Sequence, residues 1–208
     1  MSATARDEVL ARVRAALQGA PPPPEVLRDY RTVGTPAGTD LVAVLVNRLE
    51  DYKASVHRST ADALSAVVAV VLEQRGADRV VVPPGLPPEW TAGAQTTIDD
   101  GALGPHDLDR FDGVVTACAA AVAETGTIVL DASPDQGRRA ITLVPDLHVC
   151  IVRADQIVAS VPEVLHRLDP SRPLTFISGP SATSDIELER IEGVHGPRTL
   201  DVVLVLPG

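Results

Sequence analysis

The run "TADALSAVVAVVLEQRGADRVVVPP", Thr60 to Pro84, most constrains the fold. Leu64, Val67, Val68, Val71 and Leu72 recur at helical spacing, which predicts a helix from about Thr60 to Arg75. Gly76 then stops it. Arg79 to Val82 reads as a short strand, ended by Pro83 and Pro84. Helix, glycine stop and short apolar strand together make the half-unit of a parallel α/β sheet.

The rest of the chain from Thr39 extends this pattern. Leu41, Val42, Leu45, Val46 and Leu49 mark a helix through Glu50, with Thr39 as its cap. Further strands are expected at 96–98, 113–116, 127–130, 140–144, 147–152, 174–178 and 200–206. Helical segments are expected at 118–124, 162–168 and 184–191. Eight strands mostly alternating with helices predict a three-layer α/β/α sandwich. The crowding of strands between 127 and 152 implies an antiparallel excursion.

Residues 1–38 differ in kind. Val9, Leu10, Val13, Ala16 and Leu17 lie on one stripe of an N-terminal helix, with Thr4 or Ser2 at its start and Gly19 at its end. Pro21 to Pro24 and the Pro-, Gly- and Thr-rich stretch to Gly38 then read as an extended arm. The expected division is therefore an arm, 1–38, and a domain, 39–208.

Composition removes several functions. Eighteen Lys and Arg against 28 Asp and Glu give a formal charge of -10, which repels nucleic acid and anionic membranes. Aromatic residues are only 2%, too few for base-stacking platforms. No apolar run approaches a membrane span, and the charged N-terminus does not read as a secretory signal, so a cytoplasmic location is expected. Cys118 and Cys150, the two cysteines, sit in apolar segments without metal-ligand spacing and read as buried thiols. Two thiols cannot supply the four that usually hold an iron–sulfur cluster.

Four polar loops carry the candidate chemistry. In "AETGTIVL", Glu124, Thr125 and Thr127 flank Gly126, whose freedom to adopt φ > 0 lets a ligand approach the backbone. The same residues also suit a plain helix end. In "SPDQGRRA", Ser133, Gln136 and Gly137 lead to Arg138 and Arg139, whose planar guanidinium groups favour carboxylate and phosphate. Adjacent strand residues face opposite sides, so one arginine at most would line a given pocket. A solvated surface corner is the alternative. In "LTFISGPSATSDIE", an apolar strand runs through Ser178, Gly179 and Ser181 towards an S-x-x-E capping box at Ser184 and Glu187, a place where backbone N–H groups can receive an anion. Neither GxxxxGK[ST] nor GxGxxG is present. In "EGVHGPRTL", His195 between two glycines is the candidate for proton transfer, and Arg198 is a further anion clamp. Glu124 is the one carboxylate considered for a catalytic part. His148, alternating with apolar neighbours in "LHVCIV", reads as a strand residue outside the chemistry.

Taken in order, "AETGTIVL", "SPDQGRRAITLVPDLHVCIV", "VPE", "ISGPSATSDIE" and "GVHGPRTL" resemble the LUD-domain family, from about Asp40 onwards and most strongly from Ala123 to Leu206. Ala119 departs from the pattern, in which a polar residue is common near that place. The resemblance implies a NagB/RpiA/CoA-transferase-like fold and a part in oxidising L-lactate to pyruvate. It also implies two partner proteins that carry iron–sulfur clusters, and it supplies no catalytic residues or cofactor. A small anionic ligand or a nucleotide-like cofactor is expected at the four loops. Two other readings stay open: an independent enzyme acting on a sugar phosphate or acyl-CoA, and a purely structural or regulatory subunit.

Overall fold

A computed structural model of the chain describes residues 4–21, 24–34, 36, 38–183, 191–192 and 196–207, with the side chains of 182–183 and 191–192 left aside. Two compact units divide it, Met1–Tyr30 and Arg31–Gly208. The first holds helix α1, Ala5–Ala16, closed at its start by a capping box in which Thr4 and Asp7 bond reciprocally. Val9, Leu10, Val13 and Leu17 of its stripe are exposed.

The second unit begins with helix α2, Leu41–Asp51, capped by Asp40, whose carboxylate accepts the Ala43 N–H. The expected cap, Thr39, instead donates its hydroxyl to the Pro36 carbonyl. Strand β1 (Ser55–Thr60), helix α3 (Leu64–Arg75) and strand β2 (Arg79–Val82) follow. Gly76 ends α3 in the left-handed region, at φ 64°. Strand β3 is Gln95–Ile98, helix α4 is Pro105–Leu108 and strand β4 is Gly113–Thr116. Then come strands β5 (Ala120–Val122), β6 (Thr127–Leu130), β7 (Leu147–Arg153) and β8 (Ile157–Val158). Helix α5 (Val161–Leu165) and strands β9 (Thr175–Ile177), β10 (Ala182–Thr183), β11 (Ile191–Glu192) and β12 (Thr199–Leu206) complete the series.

Six of these strands form a parallel sheet in the order β1-β12-β7-β4-β2-β3. Its middle strands are almost continuous valine, isoleucine and leucine, as burial on both faces requires. Leu64, Val68, Val71 and Leu72 of α3 cover one face, over Val80, Val115, Val149 and Val203. On the other face, Leu45 and Leu49 of α2 meet Cys150, Val152, Val202 and Leu204. The small mixed sheet β8-β5-β6-β9 joins that second layer through Ala121 and Ile128. The result is a three-layer α/β/α fold with an antiparallel excursion in one outer layer.

Three expectations need correction. Residues 118–124 hold the short strand β5 (Ala120–Val122) and no helix: residues 118–123 are all apolar, so they show no period, and the strand is buried against β6 and β8. Arg139–Thr142 is a 3-10 turn where a strand was expected, with Ile141 and Thr142 tucked inside. Strand β1, "SVHRST", was not anticipated because polar residues fill it. It is an edge strand, and the buried Asp201 on its partner strand β12 bonds His57 and Arg75, both of which reach solvent, at 2.7 and 2.8 Å. The capping box at Ser184 and Glu187 lies outside the described residues, while Ile191, the last residue expected in that helix, pairs with Thr183 as the start of strand β11.

Candidate anion-binding cavity

The 3-10 turn after "SPDQG" separates the two arginines. Arg138 reaches Asp99 through Nε at 2.7 Å and Nη2 at 2.9 Å, and donates to the Leu103 carbonyl at 2.6 Å. This pairing holds the Asp99 carboxyl below the usual range and raises the pKa of Arg138. Arg138 is thereby committed to the fold. Arg139 turns to the carbonyl and hydroxyl of Thr142, at 2.9 and 3.0 Å, and has no carboxylate within ion-pair distance among the described residues. Desolvation by its surroundings lowers its pKa.

Arg139 lines a cavity of about 220 Å³ together with Thr142, His148, Phe176, Ser178 and Ser181. His148 enters from β7 and is 1% exposed. Its Nε2 stands 2.8 Å from the Thr116 hydroxyl on the neighbouring strand β4. Such a buried polar group in an apolar strand is kept only where it is bonded. The Ser178 hydroxyl lies 2.8 Å from that of Thr127, which lies 2.8 Å from that of Thr125. Two of the candidate loops thus meet in one row of hydroxyls that ends at the cavity wall. The cavity offers a cation, hydroxyls and an imidazole, a set suited to a small oxygen-bearing anion.

Gly179 adjoins Ser178 in the wall of this cavity, and the remaining candidates lie elsewhere. Gly126 (φ 60°) and Gly179 (φ 84°) do not open space for a ligand: a Cβ on either would come within 2.7 Å of Arg48 or Tyr52, so they let the loops close on α2. Glu124 pairs with Arg31 through two bonds of 2.8 and 2.7 Å, which hold its carboxyl low, away from Arg139's cavity. Ser133 and Gln136 line a second cavity, and the Gln136 side chain, 2% exposed, accepts the Asp131 N–H at 2.6 Å. Gly137, at φ 71°, sits against Ile141 and Pro83. Arg198 pairs with Asp146 at 3.0 and 2.5 Å. His195 lies outside the described residues.

His148 and Thr142 are cavity residues that sequence reasoning passed over, and so is Thr116, which bonds His148 from outside the cavity wall. The available signal for His148 was a polar ring amid "LHVCIV", since a buried polar residue is more informative than an exposed one. Cys118 and Cys150 are free and buried, and their mutual hydrogen bond together with burial raises the pKa of Cys118. Among the described residues no group of His, Cys, Asp and Glu could hold a metal, and no helix is long and apolar enough to cross a membrane.

The profile of the LUD domain matches residues 105–205. A lactate utilization protein C from Deinococcus radiodurans is 44% identical, over 98% of this chain and 97% of its own length. The chain belongs to the LUD-domain family. A second lactate utilization protein C, from Geobacillus kaustophilus, is 31% identical over 77% of this chain and 78% of its own. A crystal structure of a DUF162 family protein from Deinococcus radiodurans matches with a TM-score of 0.68 and 40% identity, covering 80% of this chain and 96% of that one. The segment matched by the LUD profile contains His148, both arginines and Ser178. In this LUD-domain chain the cavity is therefore built mostly from the matched segment.

Proposed function

We propose that this chain serves lactate utilisation as the cluster-free component of a cytoplasmic L-lactate-oxidising system, binding the three-carbon carboxylate in the Arg139 cavity. The supporting observation is Arg139 itself: a partly desolvated guanidinium, without a carboxylate among the described residues, beside a buried imidazole. Its planar fork takes the carboxylate of L-lactate or pyruvate. The Ser178 hydroxyl and His148 address the oxygen on the second carbon. Conversion of L-lactate to pyruvate releases two electrons and two protons. In this reading the electrons pass to iron–sulfur clusters on partner proteins, as the family resemblance implies; a chain with only two cysteines fits that division. The relatives named above, lactate utilization proteins C, support the lactate-utilisation part of this reading.

Calorimetric titration with L-lactate and with pyruvate tests the reading. Binding to the wild-type chain is expected, and Arg139→Gln should weaken it at least tenfold, the worth of a charge-assisted hydrogen bond pair. Absence of binding by either acid, or an unchanged affinity in Arg139→Gln, would remove the cavity from the function.

A further inference from the structure

Strand β3 closes one side of the six-stranded sheet, and all four of its residues, Gln95 to Ile98, are exposed. Its inner side pairs with β2 in parallel register, Gln95 beside Arg79 and Ile98 beside Val82. The Asp99 N–H donates to the Val82 carbonyl at 2.9 Å. Backbone groups alternate in direction along a strand, so residues 95, 97 and 99 turn theirs inward while Thr96 and Ile98 turn theirs outward. Among the described residues these outward groups make no hydrogen bond. The next outward N–H, that of Ala94, is already taken by the Thr91 carbonyl at 3.0 Å.

An open edge of this kind templates the pairing of another strand, and proteins that stay monomeric blunt it with charge, proline, a covering segment or a shortened strand. The opposite edge, β1, carries His57 and the exposed Arg58. Strand β3 carries neither charge nor proline, and at four residues it is as long as its neighbours β2 and β4. Its two threonines and its isoleucine favour extended backbone, and Ile98 stands 61% exposed.

An unpaired cation stands by one end of this strand and an unpaired anion by the other. Beside the amino end, a groove of about 350 Å³ has Arg79 and Arg110 in its wall. Arg79 leans on Asp112 at 3.7 Å, and Asp107 of the same wall receives the Gly104 N–H at 3.1 Å. Arg110 has no carboxylate within ion-pair distance among the described residues. Past the carboxyl end come Asp99, held by Arg138, and then the exposed Asp100, which receives the Ala102 N–H at 2.9 Å and has no cation within ion-pair distance among the described residues.

We infer that β3 pairs antiparallel with β3 of a second copy of this chain, about a two-fold axis at Thr97. Such an axis, normal to the sheet, keeps each side chain on its own face, so it must pass through a residue and not between two. Centred on Thr97, it sets Thr96 of each copy opposite Ile98 of the other, and each such pair exchanges both of its N–H···O bonds. Centred on Thr96, it would need the Ala94 N–H, which is already bonded. The antiparallel direction also carries Asp100 of each copy towards the end of β3 where the other presents Arg110. A strand with one unpaired charge of each sign at its ends complements itself head to tail, which favours a second copy over a foreign strand. The inference does not depend on the lactate reading, because β3 and the Arg139 cavity share no residue.

Sedimentation of the full chain at rising concentration tests it, with a dimer expected. Thr97→Lys sets two ammonium groups against each other at the axis and should raise the dissociation constant of the dimer at least tenfold, with the circular dichroism unchanged at this exposed position. Thr96→Pro removes an outward N–H, leaves the β2 ladder whole, and should weaken the dimer likewise. Thr97→Cys brings two thiols together at the short spacing of a non-hydrogen-bonded pair, so an added mild oxidant should take up their two protons and two electrons and leave a covalent dimer. Thr96→Cys, displaced along the strand from its own copy, should give none. The inference is overturned if the wild-type chain stays monomeric throughout, which would leave the edge to a foreign strand. It is equally overturned if both Thr97→Lys and Thr96→Pro dimerise as tightly as wild type, or if Thr97→Cys crosslinks no better than Thr96→Cys.

Discussion

Arg138 clasps the buried Asp99 with two hydrogen bonds of 2.7 and 2.9 Å, leaving the next residue, Arg139, to the cavity. One doublet of like side chains therefore divides into an anchor and a receptor. Arg138→Ala would strand the Asp99 carboxylate and should cost about 2 kcal/mol, below the value for a fully buried pair because Arg138 stays partly exposed. Urea denaturation measures it. The folded pKa of Asp99 is depressed, so its contribution is complete above the unfolded carboxylate range and is lost as pH falls through the folded value. The variant should accordingly show a flatter acid limb in a stability–pH profile.

His148 depends on Thr116 for the bond to its Nε2. Thr116→Val removes that partner from a buried ring and should destabilise the fold by about 1–2 kcal/mol. It should also weaken pyruvate binding, since the ring is no longer oriented. Thr116→Ser, which restores the hydroxyl, should recover both, by denaturation and by titration.

Residues 31–34 are tied down by two carboxylates. Glu124 receives Arg31, and Glu163 receives the Gly34 N–H at 2.8 Å; both carboxyls are held below their usual range, chiefly by those bonds. The sign follows from linkage: the ties are intact at neutral pH and are lost as pH falls through the depressed folded values. Hydrogen exchange at the Gly34 amide, taken relative to its intrinsic rate at each pH, should therefore accelerate in acid. Arg31→Ala should produce part of that acceleration at neutral pH.

Gly126 and Gly179 both combine left-handed backbone with close approach to α2. Alanine at either position should cost about 2 kcal/mol, from φ strain and from displacement of Arg48 or Tyr52. Gly179→Ala should additionally disturb ligand binding, because Gly179 adjoins Ser178 in the cavity wall, whereas Gly126→Ala should act more on stability. Parallel denaturation and titration series separate the two effects.

The elements legible from sequence were those with a period or a punctuation mark. Helix α3 with Gly76, strand β2 with its prolines, and strands β4 and β6 stand at or near the expected residues. Strand β5 was hidden because "CAAAVA" is apolar on every face, and β1 because its side chains are mostly polar at a sheet edge. At the site, the guanidinium and hydroxyl chemistry of Arg139 and Ser178 was visible as residue type. Which arginine faces the cavity was not, because a 3-10 turn, not strand alternation, sets their directions. His148 stands in strand β7 as its alternation implied, but a strand pattern tells which face a residue shares and not whether that face borders a void.

Strand β12 lies between β1 and β7 in the sheet, although it is the last of the three in the chain. During synthesis, β1 must therefore wait for residues 199–206 before it has any neighbour in the sheet. Until then β7 presents a long, valine-rich edge that is open to pairing with other chains. A ribosome stalled upstream of Thr199 would release a product whose halves cannot join, and such a fragment is prone to aggregate. Folding of this chain is thus a late, non-local event, and chaperone demand should rise with any slowing of translation near its end.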